Sequence, residues 1–212
     1  MRRIDIENWP RREHFELYRT YHQPHVNVCA PVDVPALWGA VRERGAPLNT
    51  ALVHLLACVA NEIPEFRRRV RDDGVVEHDV VHPASTVMAD DEVFTFAFFE
   101  FSEHFETFAR HVDDVTAQAR KDPSLSDPPG RDDLLFMTAI PWVAFTSFSH
   151  AIPAVPEDSI PRLAWGRVWQ EGDLRRMPLS VQAHHAVVDG IHMGKYFTEV
   201  EALLDKPQEV LG

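Results

Sequence analysis

Only two cysteines, Cys29 and Cys58, occur among the 212 residues, which excludes a disulfide framework as the source of stability. Cys58 falls inside an apolar helical pattern and reads as a small core residue. No run of 18 or more apolar residues is found, so no spanning helix is expected. Basic residues are scarce: 21 Lys and Arg against 33 Asp and Glu leave a net charge of −12, the wrong sign for a nucleic-acid surface. The opening residues Met1-Arg2-Arg3-Ile4-Asp5 carry neither the apolar stretch nor the cleavage site of a secretory leader, and a cytoplasmic protein is expected.

What is present is the mixture of an ordinary globular protein, 45% hydrophobic and 25% charged, at a length suited to one domain over residues 1–212. No internal repeat is visible. Trp9-Pro10 should open a helix through Tyr18. Asp33 is placed to cap a helix over residues 34–44 that Gly45 ends, and Asn49 to cap the next. In that third helix Leu52, Leu55, Leu56, Val59 and Ile63 recur at helical spacing until Pro64. Asp73-Gly74 signals a hairpin, and strands are expected over residues 85–88 and 93–99 with Asp90-Asp91 as their turn. Ser102 is placed to cap a helix over 103–120 with Phe105, Phe108 and Val112 inward, and residues 121–133 read as a loop. Residues 134–138, 142–148, 163–169 and 178–184 read as strands, 151–161 as irregular, and 191–204 as a last helix. Helices and strands mixed in this way predict an α/β two-layer sandwich, a mixed β-sheet covered by helices.

The run His184-His185-Ala186-Val187-Val188-Asp189-Gly190 lies between an expected strand and a helix. A histidine at a strand exit can be held by backbone while its ring faces a cleft, and imidazole suits deprotonation of a hydroxyl or thiol near neutral pH. Asp189, four residues on, is placed to fix the turn through an ion pair or backbone bonds, and Gly190 to allow tight geometry at the helix start. Spacing alone leaves a purely structural pair of histidines equally open.

His185-Ala186-Val187-Val188-Asp189-Gly190 resembles the HxxxDG motif of CoA-dependent acyltransferases. The longer segment from Leu179 to His192 resembles the chloramphenicol acetyltransferase family in particular. So do residues 8–18, beginning Asn8-Trp9-Pro10-Arg11-Arg12, then Pro64-Glu65-Phe66-Arg67, and then residues 141–148 from Pro141-Trp142 to Ser147-Phe148. The resemblance runs nearly the full length and implies the CoA-dependent acyltransferase fold. It implies His185 as the base that deprotonates an acceptor hydroxyl, and Ser147 as the oxyanion donor. Arg11 and Asp189 would form an ion pair shaping the site, and Tyr18 would belong to the acceptor pocket. It implies acetyl-CoA as a consumed co-substrate, no metal or tightly bound cofactor, and a homotrimer with sites at subunit boundaries.

The acceptor side departs from the family. His22 and Val26 replace an apolar residue and a phenylalanine, Ala164 a threonine, and Val168 a tyrosine. Arg167 replaces a lysine associated with the cofactor phosphate and keeps its charge. A site that loses a hydroxyl and an aromatic wall redirects its acceptor, because polar acceptor groups need matched partners. The alternatives are an acyltransferase for another small alcohol or amine and a non-catalytic trimeric binding protein of the same fold. A Ser147–His185 nucleophile dyad is the hydrolase rival, although no nucleophile-elbow pattern surrounds Ser147.

Among the other histidines, His78 and His82 lie in a strand-and-turn region where their spacing does not align two metal ligands. His104 and His111 read as solvated on their helix, and His54 as a packed structural residue. His184 reads as a buttress for His185, and His192 as structural at the helix start. Trp142 and the Phe94-Phe96-Phe98-Phe99-Phe101 cluster read as core or subunit contacts.

Overall fold

The computed structural model describes residues 1–71, 74–90, 92–153 and 158–212. The chain begins with a short strand β1 (Arg2–Arg3), helix α1 (Arg12–Tyr18) and the long strand β2 (His25–Asp33). Helices α2 (Pro35–Arg44) and α3 (Leu48–Glu62) follow, then β3 (Arg68–Arg71), β4 (Gly74–Glu77), β5 (His82–Met88) and β6 (Phe94–Phe98). Helix α4 (Phe105–Lys121) precedes β7 (Leu134–Ile140), β8 (Arg162–Gly166), β9 (Trp169–Glu171) and β10 (Leu174–His184). Helices α5 (Gly190–Asp205) and α6 (Gln208–Leu211) close the chain. None of the described helices is long and apolar enough to cross a membrane.

The large sheet runs β2-β10-β8-β7-β5-β6, with β9 added on β10; β5–β7 and β7–β8 are parallel and the other pairs antiparallel. A small antiparallel sheet β1-β4-β3 stands apart. This is the mixed α/β architecture that the alternation of elements predicts. One face of the large sheet meets the helices. There β10 contributes Leu179, Val181 and Ala183 to a core shared with Leu52, Leu55, Leu56 and Val59 of α3 and Met193, Tyr196 and Val200 of α5. Helix α3 is apolar on nearly all sides, as a helix walled in by neighbours must be. Gly45 ends α2 in the left-handed conformation (φ 66°), and Pro64 bars extension of α3.

Several local expectations are corrected. Asp33 is the last residue of β2, and its carboxylate takes Arg176 Nε at 2.9 Å instead of capping α2. Helix α3 starts at Leu48 behind Pro47, so Asn49 lies inside it; α4 starts at Phe105, with the Ser102 hydroxyl bonded to His104 N at 3.2 Å. Helix α1 begins at Arg12, not at Pro10. Residues 142–148 are not a strand. Their backbone bonds to other groups: Val143 O accepts Arg167 N at 2.9 Å, and Phe148 O lies 2.9 Å from the Ser180 hydroxyl.

The aromatic cluster is only partly core. On the edge strand β6 the small residues Thr95 and Ala97 turn inward, so Phe94, Phe96 and Phe98 share the outer face. Phe99 is buried, and Trp142 is 66% exposed. The strands flanking the first expected hairpin do pair, β3 with β4; Asp73 of its turn, Asp91 of the second turn and residues 154–157 of the irregular segment lie outside the described residues.

Phe66, in the turn Pro64–Arg67, is fully buried and stacks on Tyr196 with ring centroids 4.5 Å apart. It locks the small sheet to α5, the helix that follows the His185 turn. Phe66→Ala is expected to lower unfolding free energy by about 3–5 kcal/mol, read from urea denaturation; a change near zero would contradict this core assignment.

Candidate active site

Strand β10 ends at His184, and the chain then folds into a tight turn before α5. His184 O accepts Val187 N at 3.1 Å and Val188 N at 3.0 Å, while His184 Nδ1 accepts Ala186 N at 3.2 Å. The next residue is tied to the neighbouring strand, His185 N donating to Pro24 O at 2.8 Å. His184 therefore does buttress the turn, from a fully buried position. At the far end, Asp189 N donates to His192 Nδ1 at 2.9 Å, so His192 is structural, as expected.

The His185 ring is held on two sides. Nδ1 lies 3.1 Å from Val188 O, and a carbonyl only accepts, so Nδ1 is the nitrogen that carries the proton. That leaves Nε2 with its lone pair. Tyr18 stacks on the ring at 3.9 Å with planes 12° apart. The imidazole is about a quarter exposed, so its working edge is not sealed.

Arg11 bonds Asp189 through one guanidinium nitrogen and reaches His185 O at 3.2 Å with another. Desolvation pushes the Asp189 carboxyl up, but the hydrogen bond and charge of Arg11 outweigh it and hold it below the usual carboxylate range. The pair is 14% and 28% exposed, so breaking it costs about 1.5–3 kcal/mol, less than a fully buried pair. Gly190 is a correction. It opens α5 without a positive φ, and a Cβ there would meet nothing within 4 Å, so the turn does not demand a glycine within this chain.

The remaining site residues are spread over the sheet. Ser147 and Arg167 are exposed, and so is His22. Ala164 is fully buried, Val26 packs toward the helices opposite Ala183, and Val168 packs against the core. Ser147 precedes Phe148, whose carbonyl meets Ser180. From Ser180 to His184 is about 13 Å at ~3.3 Å per strand residue. Ser147 and His185 therefore do not converge within one chain, which removes the single-chain dyad.

A polar row was missed. Ser180, Gln182 and His184 of β10, with His25 and Asn27 of β2 and Arg162 of β8, point away from the helices. The signal lay in the alternation of Leu179-Ser180-Val181-Gln182-Ala183-His184, polar at every second residue. His25 and His184 rings meet edge to face at 5.1 Å. Burial first, then neighbouring positive charge, lowers His25, His184 and His150 from 6.5 to about 4. Elsewhere, His78 bonds Asp132 at 2.9 Å, and His82 lies 2.9 Å from Glu100. His54 is buried against Phe101, Phe105 and Phe108. His104 is exposed, as expected, but His111 is not simply solvated: it accepts Glu100 N at 2.9 Å.

The family model of chloramphenicol acetyltransferase matches residues 1–201. The chain belongs to the chloramphenicol acetyltransferase family. A chloramphenicol acetyltransferase of Klebsiella sp is 32% identical over 207 residues, covering 97% of this chain and 94% of the relative. Chloramphenicol acetyltransferase 3 of Escherichia coli is 29% identical, covering 95% of each. A solved chloramphenicol acetyltransferase superposes with a TM-score of 0.84 at 25% identity, covering 96% of this chain and 99% of that one. A dihydrolipoamide acetyltransferase of Azotobacter vinelandii shares the fold at TM-score 0.72 and 17% identity, covering 94% of this chain and 88% of the other. Family membership makes this chain an acyltransferase.

Two predictions follow from this geometry. Asp189→Asn loosens the turn that aims His185 and is expected to lower kcat roughly 10–100-fold; unchanged steady-state kinetics would contradict that role. The three depressed histidines also bind fewer protons folded than unfolded between about 4 and 6.5. Their contribution is complete above 6.5 and is lost as pH falls toward 4. Urea midpoints should drop across that interval, and a flat profile would contradict the shifts.

Proposed function

We propose that this chain is an acetyl-CoA-dependent O-acetyltransferase in which His185 is the general base. The observation that carries the reading is the bond from His185 Nδ1 to Val188 O, which in the neutral tautomer places the lone pair on Nε2, the ring nitrogen away from Val188 O. Nε2 takes the proton of an acceptor hydroxyl as its oxygen attacks the thioester carbonyl of acetyl-CoA. The electron pair of the carbonyl moves onto oxygen, where a preorganised donor contributes a few kcal/mol. Collapse expels the CoA thiolate, which recovers the proton from Nε2 as the acetyl ester leaves. No acyl-enzyme is formed, and alignment of the two substrates supplies much of the rate.

Ser147 is the oxyanion donor in this reading, supplied by a second copy of the chain. The separation of Ser147 from His185 supports a site shared between subunits, and the family resemblance supports a homotrimer built on chains that each act as one domain. Arg167, exposed at the end of β8, suits a phosphate of CoA. Tyr18 forms one wall of the acceptor site by its stack on His185. Ala164 and Val168 offer no hydroxyl, and Ala164 is fully buried. These features favour a small alcohol other than chloramphenicol as a second reading of the acceptor.

The test combines two inactive variants. His185→Ala is expected to lose about 10²–10⁴-fold in kcat and Ser147→Ala about 10²-fold, followed as free CoA thiol over a panel of acceptors including chloramphenicol. Co-refolding the two should restore about one site in four by random assortment in a closed ring. Recovery no greater than the sum of the parents would contradict the shared site, and full activity of His185→Ala alone would end the proposal.

A further inference from the structure

Residues 143–150 carry Ser147 across the outer face of the sheet without forming a strand of their own. Three fixtures hold them there. At the near end, Val143 O accepts Arg167 N at 2.9 Å, directly beside Gly166. A Cβ on Gly166 would stand 2.5 Å from Val143 O, 2.6 Å from Pro178 Cγ and 3.0 Å from a Phe145 ring carbon, so only glycine lets this segment lie so close. At the far end, the Ser180 hydroxyl lies 2.9 Å from both Phe148 O and Asn27 Oδ1, and Asn27 Nδ2 donates to Phe148 O. One hydroxyl has one proton, and both oxygens are served when Ser180 donates to Asn27 Oδ1 while Asn27 Nδ2 donates to Phe148 O. Two residues on, His150 N donates to Gln182 Oε1 at 2.8 Å.

Ser180 and Gln182 are 1% and 7% exposed, so on the sheet side these bonds are made by buried side chains, while their partners on the segment are half-buried. Nothing in β10 as a strand requires polar side chains there, because its ladders with β2 and β8 are complete without them. Burying a hydroxyl and an amide is unfavourable unless each finds a partner, and here the partners include Phe148 O and His150 N, one and three residues after Ser147.

We propose that Gly166, Ser180 and Gln182 are positioning residues for the reaction: they seat residues 143–150 on the sheet and so set the height and direction of the Ser147 hydroxyl. The inference rests on Ser147 being the oxyanion donor. The residues do not touch substrate. Gly166 sets how closely the segment approaches, while Ser180 and Gln182 set where along β10 it is fastened. An oxyanion donor displaced by a fraction of an ångström stabilises the ground-state carbonyl and the tetrahedral oxygen almost equally, and then contributes little to rate.

The experiment is a set of double-mutant cycles on the full-length protein, with acetyl-CoA and chloramphenicol as substrates and CoA thiol release as the readout. Ser180→Ala and Gln182→Met are each expected to lower kcat about ten-fold with the KM for acetyl-CoA unchanged. Ser180→Thr, which keeps the hydroxyl, should recover most of the loss, and Gly166→Ala should lower kcat at least as far. In a Ser147→Ala background each substitution should cost almost nothing further, because its effect passes through that hydroxyl. Equal losses in both backgrounds would overturn the positioning role, as would wild-type kcat in Ser180→Ala and Gln182→Met. Melting temperatures separate lost seating from lost folding. If Ser180→Ala fails to fold, the Gln182→Met and Ser180→Thr cycles decide by the same criterion. Wild-type kcat in Ser147→Ala itself would instead strike at the oxyanion assignment, and the positioning role would fall with it.

Discussion

A single hydrogen bond, from His185 Nδ1 to Val188 O at 3.1 Å, decides which nitrogen of the imidazole is available to a substrate. Much of the surrounding structure serves to make that bond unavoidable. Val188 O is where it is because the turn closes on His184 O and Nδ1. The turn cannot slide because His185 N is fastened to Pro24 O and Arg11 bridges Asp189 and His185 O. Tyr18 then limits rotation of the ring by lying flat against it. These contacts orient the ring together with the Asp189 carboxylate, whose Oδ1 lies 3.3 Å from His185 Nδ1, farther than Val188 O.

The two faces of the sheet divide the work. The helix-facing side is an ordinary apolar core, in which β10 supplies Leu179, Val181 and Ala183. The other side is a polar layer of Ser180, Gln182, His184, His25 and the Arg162–Asp158 ion pair, and the segment that bears Ser147 is fastened to it at Ser180 and Gln182. Burying three neutral histidines and a guanidinium there costs desolvation that an apolar layer would not incur. Such a layer fixes a segment in register better than dispersion contacts do, because each bond has a direction.

Much of this was legible in the sequence, and the reasons it was legible are physical. The helix at residues 48–62 was found because its apolar residues recur at helical spacing, and they are buried. The HxxxDG run stood out because a histidine, an aspartate and a glycine at that spacing resemble a known catalytic turn. Caps were misjudged at Asp33 and Asn49 because a nearby arginine and a preceding proline redefined the helix starts. For the aromatic strand the core half of the reading holds for Phe99 but not for Phe94, because an edge strand can bury its small residues and leave phenylalanines outside. Residues 142–148 read as a strand because they are apolar and aromatic, but their backbone partners are side chains and an isolated amide of other strands, which no local pattern reveals. Gly190 was over-read, since its surroundings are open. The distance between Ser147 and His185 was not legible at all, because it depends on where a covering segment crosses the sheet.

The most direct measurement of the central claim is the side-chain nitrogen spectrum of His185 in protein labelled with ¹⁵N-histidine, with the resonance assigned by comparison with His185→Gln. The account predicts that the neutral form of the ring carries its proton on Nδ1, with Nε2 showing the shift of an unprotonated nitrogen. A spectrum with the proton on Nε2 would contradict it, because the nitrogen offered to substrate would then have no lone pair to give.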